Sequence, residues 1–262
     1  MVAMLAMFAS FVAQEETATI KGIVELGHRA PPRKKLDVDA DPAAAAAHPN
    51  GLISEELAVD ERGGIKWALI FVTRGLEGQK FSVPTSTVSL DFKGFQISPR
   101  VQGIMAGQAL STRNYDSSFH VMHLMPFHSE ESNVGFPDFR KPPHIRSFTA
   151  PEKAIKAKCD LHPWEDAWIH VLPHPFFAVT GEDGRFEIKG LPPGRYTLET
   201  WQQKCNPRTR EVVVQAGETA TLNFILETFD PPPPFPWRPL AVSGGAVLVL
   251  GIALAILLRR PK

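Results

Sequence analysis

Residues 177–201, FAVTGEDGRFEIKGLPPGRYTLETW, constrain the fold more than any other stretch of the chain. Asp183-Gly184 supplies a residue that takes positive φ without strain, and Pro192-Pro193-Gly194 supplies a second reversal. The apolar runs around these turns must therefore lie antiparallel. The following run, EVVVQAGETATLNFIL (211–226), places Ala220, Leu222, Phe224 and Leu226 on one face. Upstream, ATIKGIVEL (18–26) does the same with Ala18, Ile20, Gly22, Val24 and Leu26, while IKWALIFV (65–72) is continuous enough to be a strand covered on both faces. Between 86 and 172, the runs STVSLDF, QALSTRNYD, AIKAKC and AWIHVL are short strand candidates separated by Gly, Pro and Asn. The chain's 24 prolines and 19 glycines fit many turns and little helix. The expected fold class is all-β, built as sandwich or barrel.

Two segments stand outside this pattern. Residues 27–63 are rich in proline, charge and alanine and read as a surface excursion. The DPAAAAAHP within them is worth one helical turn, which is marginal in water on its own. At the other end, 229–238 is a stiff Pro-rich spacer, with Trp237 expected at a membrane interface, and 239–258 is uncharged throughout. At about 1.5 Å per residue the latter spans the roughly 30 Å of a bilayer core, so a single transmembrane helix is expected. Arg259, Arg260 and Lys262 follow, which places the 259–262 tail in the cytoplasm and the body outside it. Residues 1–13, MVAMLAMFASFVA, supply the apolar export signal that this orientation requires. The expected location is the cell envelope, on the periplasmic side. Lys plus Arg and Asp plus Glu both number 28, so no net charge marks a nucleic-acid partner. Two cysteines make no disulfide framework.

The chemistry concentrates in KCDLHPWEDAW (158–168). Cys159 at the end of a strand run and His162 three residues on place a thiolate and an imidazole on one tight loop, as in a copper-thiolate site. Glu165 stands where a soft thioether would complete such a site. The alternatives are a Cys159–Cys205 disulfide in an oxidising compartment, and Glu165-Asp166 as a catalytic acid pair. No nucleophile or oxyanion motif accompanies that pair, and no enzyme is expected.

The stretch GEDGRFEIKGLPPGRYTLETW resembles the carboxypeptidase regulatory-like domain, a small prealbumin-like β-sandwich. That family's first strands correspond to GIVEL and ALIFV, far upstream of the Asp-Gly hairpin. The intervening GQALSTRNYDSSFH and KCDLHPW are similar to the ligand loops of a plastocyanin-like cupredoxin. The resemblance implies an insertion. The regulatory-like sandwich would comprise 14–84 and 175–228, with a Greek-key cupredoxin-like sandwich at 85–174 inserted in it or packed on it.

It also implies a metal set of His120, Cys159, His162 and Glu165, with His120 following an Asn-x-Asp as in the resembled family and His123 and His128 as runners-up. Several positions depart from the family pattern. Glu165 replaces a methionine, Val121 an asparagine that braces the loop, and Trp201-Gln202 a Trp-His pair. Two cysteines and a histidine found upstream are replaced within DPAAAAAHP and by Phe95 and Arg100. Copper is the expected cofactor. A carboxylate in place of the thioether lowers the potential and also makes the set acceptable to zinc. The expected function is a membrane-anchored, copper-binding, electron-transferring protein with a redox-protein partner. The alternative is a metal-free structural or interaction module, with a protein or carbohydrate partner.

Overall fold

The computed structural model describes residues 16–138 and 140–229. The expected signal at 1–13, the spacer from 230 on, the apolar segment 239–258 and the tail 259–262 lie outside the described residues. Among the described residues no helix is long and apolar enough to cross a membrane.

The described residues are nearly all strand and turn. A flanking sandwich is made from the two ends of the chain. In its first sheet β1 (Ala18–Leu26) lies between β9 (Arg185–Leu191), antiparallel with Ile20 opposite Ile188, and β12 (Thr219–Thr221), parallel. The end of β1 also pairs with β13 (Phe224–Leu226). In the second sheet the order is β8 (Phe177–Val179), β2 (Leu69–Arg74), β10 (Gly194–Trp201), β11 (Thr209–Val214), all antiparallel neighbours. Ile20, Val24, Ile70, Val72, Phe186 and Leu198 are among the side chains that fill the space between the sheets. Gly184 has φ +72, as the Asp-Gly turn demands. The Tyr196 hydroxyl donates to the Pro192 carbonyl at 2.6 Å and braces the second turn.

Between β2 and β8 the chain leaves to form an insert with its own core. Its larger sheet has the order β5 (Ser132–Phe136), β4 (His120–Met125), β6 (Glu152–Cys159), β7 (Asp166–Leu172), β3 (Val101–Met105). Only the β7–β3 pairing is parallel. A smaller sheet joins His144–Ser147, Ala109–Thr112 and Val88–Ser89. Leu90, Phe92, Ile104, Leu110, Met122, Phe136, Ile155, Ala157 and Ile169 pack between them. Insert and sandwich meet at a third apolar cluster, where Leu69 and Phe71 of β2 contact Val101, Leu172 and three tryptophans. This explains why IKWALIFV reads as apolar on both faces: Ile70 and Val72 face one core, Leu69 and Phe71 the other. The strand starts at Leu69 rather than Ile65 because Trp67 sits at φ +64 and sends its indole N–H to Glu55 at 2.7 Å.

The excursion is not a free surface loop. Its DPAAAAA forms a helix, α1 (Pro42–Ala47). Asp41 caps it through hydrogen bonds from the Ala43 and Ala44 amides at 2.8 and 2.9 Å, and Pro42 takes the first-turn position. Ala44 is buried with Val38, Leu52 and Phe95, partly covered by Trp164. The helix therefore holds by cap and tertiary contact, which an isolated turn lacks.

Candidate metal centre

Residues on both sides of the β6–β7 loop and at the start of β4 converge beneath α1. Alternation in β4 turns His120, Met122 and Leu124 inward and His123 outward. Cys159 ends β6 on its inward face, and the turn that follows carries His162 and Glu165. The Glu165 N–H closes that turn on the His162 carbonyl at 3.0 Å, and the Cys159 N–H donates to the Glu165 carbonyl at 3.0 Å. The result brings His120 Nδ1, Cys159 Sγ, His162 Nδ1 and Glu165 Oε2 into one cluster, all within 4.8 Å of one another. The two imidazole nitrogens are 3.1 Å apart. Glu165 Oε2 lies 3.0 Å from His120 Nδ1 and 3.5 Å from His162 Nδ1. The sulfur is 4.0 and 3.6 Å from the same two nitrogens. All four residues are at least 96% buried.

These edges suit a bound cation. A four-coordinate ion with metal–nitrogen bonds of about 2.0–2.1 Å and a metal–sulfur bond of about 2.3 Å spaces its N and O donors roughly 3.3 Å apart, and N and S roughly 3.6 Å. Four electron-rich atoms otherwise face each other in a dry pocket, and Glu165 Oε1 is buried without a hydrogen-bond partner. The donor set, two imidazoles with a thiolate and a carboxylate, therefore fits a copper or zinc ion. Burial works against a charge on His120, but Asp116, Cys159 and Glu165 outweigh it and raise its pKa to about 11.

The outer contacts are specific. His120 Nε2 makes an ion-pair contact with Asp116 Oδ2 at 3.3 Å, and the Asp116 carboxylate accepts the Gly94 and Phe95 amides at 2.6 and 2.9 Å. His162 Nε2 lies 3.0 Å from Asp41 Oδ2, at the cap of α1. Val121 N–H donates to Cys159 Sγ at 3.4 Å. Phe92 stacks on His120 with centroids 4.5 Å apart, and Phe95 and Trp164 wall in His162.

The loop brace expected to be lost at Val121 is made elsewhere. The buried Asn114 amide donates to the Ser118 and Phe136 carbonyls at 2.7 and 3.1 Å, and its oxygen accepts the Asp116 amide at 2.8 Å.

Other candidates fall outside the cluster. His123 contacts Asp160, at 3.0 Å, and Glu131 on the outer face; these two carboxylates raise its pKa, Glu131 foremost. His128 lies in the loop after β4, its amide bonded to Glu152 at 3.1 Å. The disulfide alternative is overturned. Cys159 and Cys205 are both free thiols, one packed in the insert core and the other in the sandwich core, where burial pushes the Cys205 thiol up to about 12. Of the acid-pair alternative, Glu165 lies in the cluster while Asp166 is engaged by Arg100 at 2.8 Å. Gln202, in place of the resembled family's histidine, ties the sandwich to the excursion through the Glu56 carbonyl at 2.6 Å.

Residues 163–227 match the family model of the carboxypeptidase regulatory-like domain, beginning inside the loop that carries His162 and Glu165. No curated protein sequence is similar to this chain. Among solved structures, the copper-containing nitrite reductase of Thermus scotoductus aligns at 18% identity over 36% of this chain and 25% of its own, with a TM-score of 0.30. The chain thus spans about a quarter of that protein's length. A reduced Cu(I) form of an amicyanin variant aligns at 16% identity over 34% of this chain and 86% of its own, with a TM-score of 0.29. A purple cupredoxin from Nitrosopumilus maritimus aligns at 16% identity over 33% of this chain and 99% of its own, with a TM-score of 0.28.

Proposed function

We propose that this chain is a membrane-anchored protein of the cell envelope whose insert binds one copper ion through His120, Cys159, His162 and Glu165 and passes electrons at low potential. The observation that carries the reading is the convergence of four buried donor atoms, with His162 Nε2 hydrogen-bonded to Asp41 and His120 Nε2 in ion-pair contact with Asp116. Nδ1 of both rings faces the cluster. Copper, when bound, supplies one-electron chemistry. The chain's own residues orient the rings through Asp116 and Asp41, temper the sulfur through the Val121 amide, and exclude water with Phe92, Phe95 and Trp164. Its partner would be a second redox protein. Anchoring rests on the apolar run 239–258 and the basic residues after it.

Addition of Cu(II) to the reduced protein tests the reading: one copper per chain by elemental analysis, with an intense visible thiolate band, is expected. Absence of both with Cys159 reduced refutes it. Zinc is the second reading, favoured by the hard Glu165 oxygen at 3.0 Å from an imidazole nitrogen. A calorimetric zinc titration that outcompetes copper under reducing conditions would establish it. Protease added to intact spheroplasts should remove the body, and full protection of the body would place it in the cytoplasm instead.

A further inference from the structure

We propose that Asp41 is a positioning residue of the metal centre, supplied to the insert by the flanking module and holding His162 in the tautomer and orientation that ligation needs. The proposal rests on the metal-binding reading above. Asp41 divides its carboxylate between two tasks. Oδ1 accepts the Ala43 and Ala44 amides and starts α1, while Oδ2 reaches His162 Nε2 at 3.0 Å. A neutral imidazole carries its proton on one nitrogen only. A carboxylate at Nε2 keeps that proton there and leaves the Nδ1 lone pair facing His120, Cys159 and Glu165. It also makes the ring a stronger donor toward a dication. The ring itself is 4% exposed and flanked by Phe95 and Trp164, so its orientation is confined.

The placement of Asp41 is itself over-determined. Ala44 is buried against Phe95, His48 Nε2 bonds the Gly94 carbonyl at 2.9 Å, and the Trp164 indole donates to the Phe95 carbonyl at 3.1 Å. Thus α1 is docked on the insert through Ala44 and its C-cap His48, independently of the contact between Asp41 and His162.

Asparagine at this position separates the two tasks. Asp41→Asn keeps a side-chain oxygen for the helix cap, for which asparagine equals aspartate, but loses the second acceptor facing Nε2. The full chain with 15N-labelled histidine is compared as wild type, Asp41→Asn and Asp41→Ala, each metal-free and zinc-loaded. The wild type is expected to show His162 with its proton on Nε2. The Asn variant is expected to lose that signature while keeping its thermal midpoint, and to bind zinc 10- to 100-fold more weakly in a chelator competition. The Ala variant should show the same loss of tautomer together with a lower thermal midpoint. An Asn variant with wild-type ring shifts and wild-type zinc affinity overturns the proposal and leaves the metal reading standing. If the wild type binds no metal, the metal-free ring shifts still decide. Dependence of the Nε2 proton on Asp41 then supports the positioning role, and independence refutes it.

Discussion

Replacing Glu165 with methionine tests whether the carboxylate sets the redox balance of the centre. Its Oε2 is fixed 3.0 and 3.5 Å from the two imidazole nitrogens, and the residue is 1% exposed. Its charge is therefore held beside any ion the imidazoles bind. Reduction of Cu(II) to Cu(I) removes one unit of positive charge from that neighbourhood. At a separation of about 2.5 Å and an effective dielectric of about 20, the attraction lost is 332/(20 × 2.5), roughly 7 kcal/mol. A one-electron potential moves about 59 mV for each tenfold change in preference, or each 1.4 kcal/mol, which converts the figure to roughly 0.3 V. Part of this is regained by relaxation around the reduced ion. The Met variant should thus stand on the order of 0.2–0.3 V above the wild type, with a stronger visible band. Spectroelectrochemical titration at pH 7, with one copper per chain verified in both proteins, measures it. A variant potential equal to or below the wild-type value, both fully loaded, would refute the electrostatic argument.

Cys159→Ser should abolish the visible band, whereas Cys205→Ser should leave it intact, because the second thiol lies in the other core; absorption spectra after copper addition decide. His170 is buried to the point that its pKa falls to about 3, burial lowering it most and the nearby Lys153 charge adding to the fall. The folded state then refuses a proton that the unfolded state accepts below about 6.5, so this contribution to stability is complete above 6.5 and is lost as pH falls toward 3. Between pH 8 and pH 4 that amounts to about 3 kcal/mol, and His170→Phe should flatten the urea-midpoint profile relative to wild type by that order; parallel profiles would contradict it. Gly22→Ala would set a Cβ 2.0 Å from the Leu222 carbonyl oxygen. A loss of about 1–3 kcal/mol by urea unfolding is expected, with metal stoichiometry unchanged; undiminished stability would show that β1 and Leu222 can part at little cost.

The hairpins at Asp183-Gly184 and Pro192-Pro193-Gly194 were legible because turn chemistry is local. The β1 and β2 assignments to the C-terminal sandwich came from a resemblance, since nothing local tells a strand which distant partner it takes. Strand β4 hid from periodicity: HVMHLM mixes a candidate ligand, His120, into the inward face, so its polar and apolar positions do not alternate cleanly. Cys159, His162 and Glu165 could be read from spacing within one turn. Asp41 could not. It meets His162 across 121 residues of sequence, and the helix that presents it depends on the burial of Ala44. Asp116 and Asn114, in contrast, were visible in the Asn-x-Asp preceding His120, though not as a loop brace.

The split of the flanking sandwich has a consequence for folding order. Pairing Ile20 with Ile188, or Val24 with Phe224, requires closure over most of the described chain, and that entropy is met before any contact rewards it. The insert's own pairings are nearer in sequence, as between Met122 and Cys159. All four candidate ligands lie within 120–165, so the insert can collapse and bring them together while β1 and β2 still wait for partners. Once it has done so, a long floppy loop becomes a rigid spacer, and the flanking strands have less freedom left to lose. Asp41 then closes over a cluster of candidate ligands that is already assembled. Pulse-labelled hydrogen exchange during refolding should find the Met122 and Leu124 amides protected before those of Ile20 and Val24; the reverse order would mean that the sandwich templates the insert.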